Sequence, residues 1–278
     1  MSENIKEPNN IEENNIYLCK IMSKIEEYKK NITNIDNNKN SDKSDEEDIN
    51  YNELKGKIES NNKSSSRRIQ DIGHKLYIIL EHANLELTKD KKNPEIINSD
   101  DHMNLIKKMN KSYEDYRPDV LHQCLLNLFE SPLNKAGLLQ VYIRTKENVL
   151  IEISPKTRIP RTIKRFCGLM GQLLQNYRIR ALNSSEVLLK VIKNPITQYI
   201  PFGCPIISTN EKSKLVKLEE YINDLKSNNA AFVIGAISRG DVNIDYMTDT
   251  ISISSFPLTA GIVCSKICTA FEKCWDIF

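Results

Sequence analysis

Apolar positions recur along this chain with two different periods, and the switching between them predicts the order of its elements. Leu76-Tyr77-Ile78-Ile79-Leu80 is a short apolar run with β-branched and aromatic content, which predicts a buried strand. The polar stretch 90–116 carries a predicted helix around 101–110. The breaker Arg117-Pro118-Asp119 gives way to Val120, Leu121, Cys124, Leu125 and Leu128, spaced as one face of a second helix that Ser131-Pro132-Leu133-Asn134 ends. Residues 138–144 and 149–154 predict two strands joined by the polar turn Thr145-Lys146-Glu147-Asn148. Their alternation is only partial, as in strands covered on both faces. After Pro160, Ile163, Phe166, Met170, Leu173 and Leu174 return at helical spacing. Further strands are predicted at 187–192, 230–235 and 250–255, and a last helix over 259–275 with Ala260, Val263, Ile267, Phe271 and Cys274 on one stripe. Residues 212–226 are highly charged and read as helix or loop. Strands alternating with helices predict an α/β fold: a mostly parallel sheet flanked by helices.

Composition divides the chain. Residues 1–68 hold 14 asparagines, one glycine, 12 basic and 14 acidic residues, a net charge of −2 against +4 for the remainder. So little apolar surface cannot offset the entropy of ordering, which predicts a disordered Asn/Lys/Glu-rich extension over 1–68 and a folded domain over 69–278. Leu18, Ile21, Ile25 and Tyr28 fall at the spacing of a short transient helix. No window reaches the roughly 18 consecutive apolar residues of a membrane span, and the polar, acidic N-terminus lacks a signal-peptide core. Seven cysteines form no CxxC pair, Cys264 and Cys268 sit as small core residues on the last helix, and four histidines show no metal spacing. Together these predict an intracellular, reduced, metal-free protein without membrane association.

The most informative chemistry is Arg158-Ile159-Pro160-Arg161-Thr162-Ile163-Lys164-Arg165-Phe166. A helix N-terminus is already electropositive, so four cations crowded there are disfavoured unless an anion is held. Phosphate is the expected anion, with Arg158, Arg161 and Arg165 able to converge on it; the competing reading is a solvated basic face.

Two loops leave predicted strands in the second half. Gly235-Ala236-Ile237-Ser238-Arg239-Gly240 lacks the Gly-Lys-Ser/Thr ending of a P-loop, and Asp241 would repel phosphate. It also lacks the third glycine and immediate helix of a dinucleotide fingerprint, which disfavours a nicotinamide-dependent oxidoreductase. A backbone loop that lets main chain approach a ligand, or a plain turn, remains. Ile253-Ser254-Ser255-Phe256-Pro257-Leu258 leaves another strand just before a helix, and the pair of loops fits a crevice for an adenosine moiety walled by Phe256 and Leu258. For Phe256, simple core packing is the alternative.

Several long words carry a resemblance. Arg117-Pro118-Asp119, Ser131-Pro132-Leu133-Asn134-Lys135-Ala136-Gly137-Leu138-Leu139-Gln140-Val141-Tyr142-Ile143, Arg158-Ile159-Pro160-Arg161-Thr162, Arg165-Phe166-Cys167-Gly168-Leu169-Met170 and Leu189-Lys190-Val191-Ile192-Lys193-Asn194-Pro195 resemble the eukaryotic ribosome-biogenesis pseudouridine N1-methyltransferases of the SPOUT class, over roughly residues 74–278. The resemblance implies a SPOUT-type fold with a C-terminal trefoil knot, a homodimer, S-adenosylmethionine as methyl donor and small-subunit (18S) ribosomal RNA as substrate. It also implies a nucleolar (nuclear) location and pre-ribosomal assembly factors as partners. Carried over residue by residue, it implies donor-binding loops at Thr209, Gly235, Gly240, Ile253, Ser254, Ser255, Phe256, Pro257 and Leu258, and RNA-binding arginines at Arg117, Arg158, Arg161 and Arg165. The stretch 208–229 departs from the family in length and charge.

Such a reaction needs N1 of the base in line with the sulfonium carbon and an acceptor for its proton. Asp119 is the candidate carboxylate; its alternatives are partner of Arg117 or cap of the helix that begins there. A functional alternative is a non-catalytic rRNA-binding assembly factor that keeps an idle donor pocket.

Overall fold

A computed structural model of the protein describes residues 73–89, 94–182, 184–242 and 244–278. The extension expected over 1–68 and its transient helix lie outside these residues. One eight-stranded sheet organises the rest: β1 (Lys75–Ala83), β2 (Leu139–Thr145), β3 (Leu150–Ile153), β4 (Arg178–Arg180), β5 (Val187–Ile192), β6 (Ile206–Leu215), β7 (Asn229–Gly235) and β8 (Asp249–Ser252). Its spatial order is β4-β5-β3-β2-β1-β7-β6-β8. Strands β2, β1, β7, β6 and β8 are mutually parallel, while β3, β5 and β4 extend the sheet antiparallel through the β2–β3 hairpin.

The apolar run of β1 is buried as anticipated, and on both faces. Leu76, Ile78 and Leu80 join a core shared with the helices, while Ile79 meets Tyr142, Val233, Ile196 and Ile206 on the opposite face. The helix-facing core draws on α2 (Pro118–Glu130), α4 (Ile163–Asn176) and α6 (Ala260–Cys274), through Leu121, Leu125, Phe166, Met170, Ile267 and Phe271. Shorter helices are α1 (Met103–Lys108), α3 (Pro132–Lys135) and α5 (Leu218–Asp224). Fully burying each large side chain of this core stabilises the fold by about 1.5–3 kcal/mol before entropy is set against it. The opposite face is covered by a 3-10 turn, Ile196–Tyr199, and by residues around Ile200, Cys204 and Ile244.

Three expectations are corrected. Strand β6 was not anticipated: only its first positions, Ile206-Ile207-Ser208, are buried, and its second half enters the charged stretch. Strand β8 ends at Ser252, three residues before the expected limit, and frees the following residues for a loop. On α6 the stripe is rotated: Ile267 and Phe271 are buried as expected, as are Cys264 and Cys268, read as small core residues, but Gly261 joins them while Ala260, Val263 and Cys274 lie at the margin. Burial pushes the Cys268 thiol up to about 12, so it packs as a small hydrophobe. Among the described residues no helix is long and apolar enough to cross a membrane.

Candidate functional site

Parallel strands end on the same edge of a sheet, so β6, β7 and β8 send their following loops to one place. Those loops and the start of α6 enclose a cleft of about 670 Å³. Thr209, Gly235, Gly240, Ile253, Ser254, Phe256, Pro257 and Leu258 all line it; of the residues expected to bind the donor, only Ser255 falls outside. Phe256 is 75% exposed, which excludes the core-packing alternative.

The cleft is shaped by its own loops. A Cβ on Gly235 would meet Val242 Cγ2 at 2.7 Å, so the glycine lets the returning loop lie against the strand end. Gly240 adopts φ +96°, a turn that other residues reach only with strain. In the Ile253–Leu258 loop the Phe256 amide donates to Ser254 Oγ at 3.1 Å, and Ser252 Oγ donates to the Ser254 carbonyl at 2.9 Å. Strand β6 contributes an excursion: Thr209 and Lys214 both register on Ile251, so residues 210–213 leave the sheet and their first members become cleft wall. Lys212 Nζ reaches Asp241 Oδ2 at 2.7 Å, joined by Asn210 Nδ2 at 3.4 Å from Oδ1. The charge of Asp241, expected to repel a phosphate, is thus countered by Lys212.

Arg117 lines the same cleft, although its role was expected only towards RNA. It precedes Pro118, the first residue of α2, and grips Asp119 in a bidentate pair, Nε–Oδ1 2.8 Å and Nη2–Oδ2 2.6 Å. The Arg117 hydrogen bonds hold the Asp119 carboxyl below its ordinary range, and the carboxylate in turn raises the guanidinium. A carboxylate so engaged is a poor proton acceptor, and the geometry favours the reading of Asp119 as partner of Arg117.

Beside α2 runs the basic segment. Pro160 O lies 2.6 Å from His122 Nε2, which donates to it, and the His122 ring stacks on Phe166 with centroids 4.7 Å apart. This strap fixes the approach to α4 against α2; the sequence pattern marks Pro160 only as the breaker ahead of the helix and gives His122 no role. The first turn of α4 contains no acidic residue and Thr162 makes no capping bond. Arg158, Arg161, Lys164 and Arg165 are exposed, and among the described residues none of them takes part in an ion pair. Four uncompensated cations at an electropositive helix end are an anion site in waiting.

The comparisons with known proteins bear on this arrangement. The sequence model of the family described as "EMG1/NEP1 methyltransferase" matches residues 78–272. The chain belongs to that family. A Drosophila melanogaster relative named ribosomal RNA small subunit methyltransferase NEP1 is 48% identical over 210 residues, 73% of this chain and 83% of the relative. Relatives of the same name from Homo sapiens and Candida glabrata are 45% identical over 74% of this chain and 84% of theirs, and 44% identical over 80% and 97%. In fold, the chain is similar to the crystal structure of Archaeoglobus fulgidus Nep1 bound to S-adenosylhomocysteine, with TM-score 0.61 and 23% identity, covering 73% of this chain and 99% of that one. Membership of the EMG1/NEP1 family makes the chain a methyltransferase, and the arginine words that matched lie inside the family segment.

Residues of the cleft suit the donor of such an enzyme. Apolar walls from Ile237, Val242, Phe256 and Leu258, and strand-end backbone at Gly235 and Ser252, offer an adenosine moiety a flat face and hydrogen-bonding main chain.

Proposed function

We infer that the chain methylates small-subunit ribosomal RNA from S-adenosylmethionine, and we propose N1 of a pseudouridine as the acceptor atom. The observation that carries this reading is the junction of two sites: Arg117 stands in the wall of the glycine-lined cleft, at the start of the helix to which His122 straps the basic segment. Bound in the cleft, S-adenosylmethionine supplies an electrophilic methyl group. The chain's own residues then do the positioning. Gly235, Thr209 and the Ile253–Leu258 loop orient the donor, and Arg117 stands where donor and acceptor meet. Arg158, Arg161 and Arg165 hold flanking phosphates and so fix the register of an unstacked nucleotide. Reduction of the barrier comes largely from this alignment.

The finer reading extends to a homodimer, a C-terminal segment threaded as a SPOUT-type trefoil knot, a folded domain over 69–278 and a nucleolar place in small-subunit biogenesis with pre-ribosomal assembly factors. Its support is the family membership and the resemblance of the sequence words.

Mass spectrometry of a stem–loop RNA carrying either uridine or pseudouridine, after incubation with protein and donor, tests the proposal. A gain of one methyl group only on the pseudouridine RNA is expected; methylation of both, or of neither, overturns the choice of acceptor. Methylation of neither RNA with stem–loop binding retained is the outcome that a non-catalytic assembly factor with an idle donor pocket would give, and failure to bind S-adenosylhomocysteine in calorimetry would point the same way.

A further inference from the structure

Arg239 belongs to none of the groups considered so far. It sits between Ser238 and Gly240 on the glycine loop, lines the cleft and is 78% exposed. A cation on the donor loop has two places to go: towards the donor, or out towards whatever covers the cleft. The structure shows where it is held. Ser238 Oγ donates to the Glu114 carbonyl at 2.6 Å, and Arg239 Nη1 meets Glu114 Oε1 at 3.0 Å. Glu114 belongs to the 3-10 turn Tyr113–Asp115, just ahead of Arg117. The turn itself is well anchored: Ser112 Oγ caps the Glu114 amide, and the Tyr116 hydroxyl donates to Glu86 at 2.7 Å. The guanidinium is therefore presented on the rim of the cleft next to Arg117, on the lip formed by the donor loop.

The two arginines are restrained differently. Arg117 has a bidentate carboxylate, whereas Arg239 has one contact between exposed groups, of the kind that contributes about 0–1 kcal/mol and is readily exchanged. A carboxylate oxygen held by an exposed guanidinium at the mouth of a site for a polyanion has the charge and geometry of a phosphate oxygen.

We propose that Arg239 is an RNA-phosphate ligand on the donor-loop side of the cleft, and that Glu114 occupies its guanidinium in the free protein and is exchanged for a phosphate when RNA docks. The assignment rests on the rRNA reading above. It extends the cationic track from α4 past Arg117 to the loop that holds the donor, so that the RNA spans the cleft from both sides.

The experiment is the salt dependence of binding to a fluorescent pseudouridine stem–loop, measured for the full chain, Arg239→Ala, Glu114→Gln and the double variant. Loss of one phosphate contact predicts that Arg239→Ala weakens binding about three- to tenfold and lowers the slope of log K against log salt by about 0.7–0.9. Glu114→Gln frees the guanidinium and tightens binding about two- to fivefold, and the double variant shows no such gain. A gain that persists in the Arg239→Ala background is generic charge removal and overturns the exchange. Weaker binding in Glu114→Gln makes the pair a structural tie and also overturns it. Unchanged RNA binding by Arg239→Ala, with weakened binding of S-adenosylhomocysteine, moves Arg239 to the donor and sinks the assignment while leaving the rRNA reading intact. A wild-type chain that does not bind the stem–loop overturns both.

Discussion

Two groups of cations stand in opposite electrostatic states, one on the basic segment strapped to α2 and one in the wall of the cleft. On and before α4, Arg158, Arg161, Lys164 and Arg165 are exposed, and among the described residues they meet no carboxylate. In the wall of the cleft, Arg117, Lys212 and Arg239 face Asp119, Asp241 and Glu114 at 2.6, 2.7 and 3.0 Å. The difference separates two tasks. Uncompensated charge draws a polyanion from a distance and holds it without reading it. Compensated charge cannot attract at long range; it fixes loops and side chains around the cleft, and only a contact as weak as that of Arg239 is free to be exchanged once a polyanion has arrived. A chain that must hold a large anionic substrate against a compact donor needs both, side by side.

The comparison is most exposed to failure where charge is removed. Replacing Arg158, Arg161 and Arg165 together by alanine is expected to weaken stem–loop RNA binding on the order of a hundredfold and lower the salt slope by about 2, with binding of S-adenosylhomocysteine unchanged. A melting temperature that falls with the affinity would place these arginines in the architecture instead. Next in size, Gly235→Ala drives a Cβ onto Val242. Calorimetry is expected to show about a tenfold loss of S-adenosylhomocysteine affinity with RNA binding intact, the overpacking cost falling on the loop alone.

Asp119→Asn sharpens the comparison at its seam. The folded carboxyl is held below its ordinary value, so its stabilising contribution is present above the usual carboxylate range and disappears as pH falls through the lowered value. With the group partly exposed, the contribution is discounted to under about 1 kcal/mol, or a few degrees in melting temperature. The gap between wild type and variant is expected to close below about pH 4. Single-turnover methyl transfer is expected to drop less than about tenfold, whereas loss of a proton acceptor would cost about a hundredfold or more. Smallest is Lys212→Ala: Lys212 and Asn210 together hold Asp241, and freeing the lysine for RNA would bare that carboxylate at the rim, so the RNA salt slope is expected to stay the same, and a fall of about 0.7 would add Lys212 to the RNA track.

How much of this was legible in the sequence varied with the range of the cause. Strand β1, helix α4 and the hairpin between β2 and β3 follow from local apolar spacing, because their burial is set by contiguous residues. Strand β6 escaped because its apolar content is confined to Ile206 and Ile207, and its second half is held by pairing to β8 rather than by its own pattern. On α6, Gly261 carries no hydrophobic signal, and close approach to α2 through Asn127, whose Nδ2 donates to the Gly261 carbonyl at 2.9 Å, selects it. Of the cleft wall, the Gly235–Gly240 and Ile253–Leu258 loops are legible because each is contiguous, whereas Arg117 and residues 210–212 reach it from remote segments. The Arg117–Asp119 pair joins residues two apart, so it is legible from spacing alone. The Arg239–Glu114 pair joins segments remote in sequence, so no spacing announces it, and the same holds for the His122–Pro160 strap.

Where β6 leaves the sheet after Thr209 and returns at Lys214, both flanking residues rest on the same rung, Ile251. Chain length between them is therefore decoupled from strand alternation: residues added or removed there shift no inward side chain to the wrong face. The protein thus possesses a splice point at the mouth of its cleft, where rim height and charge are adjustable while the sheet beneath keeps its phase.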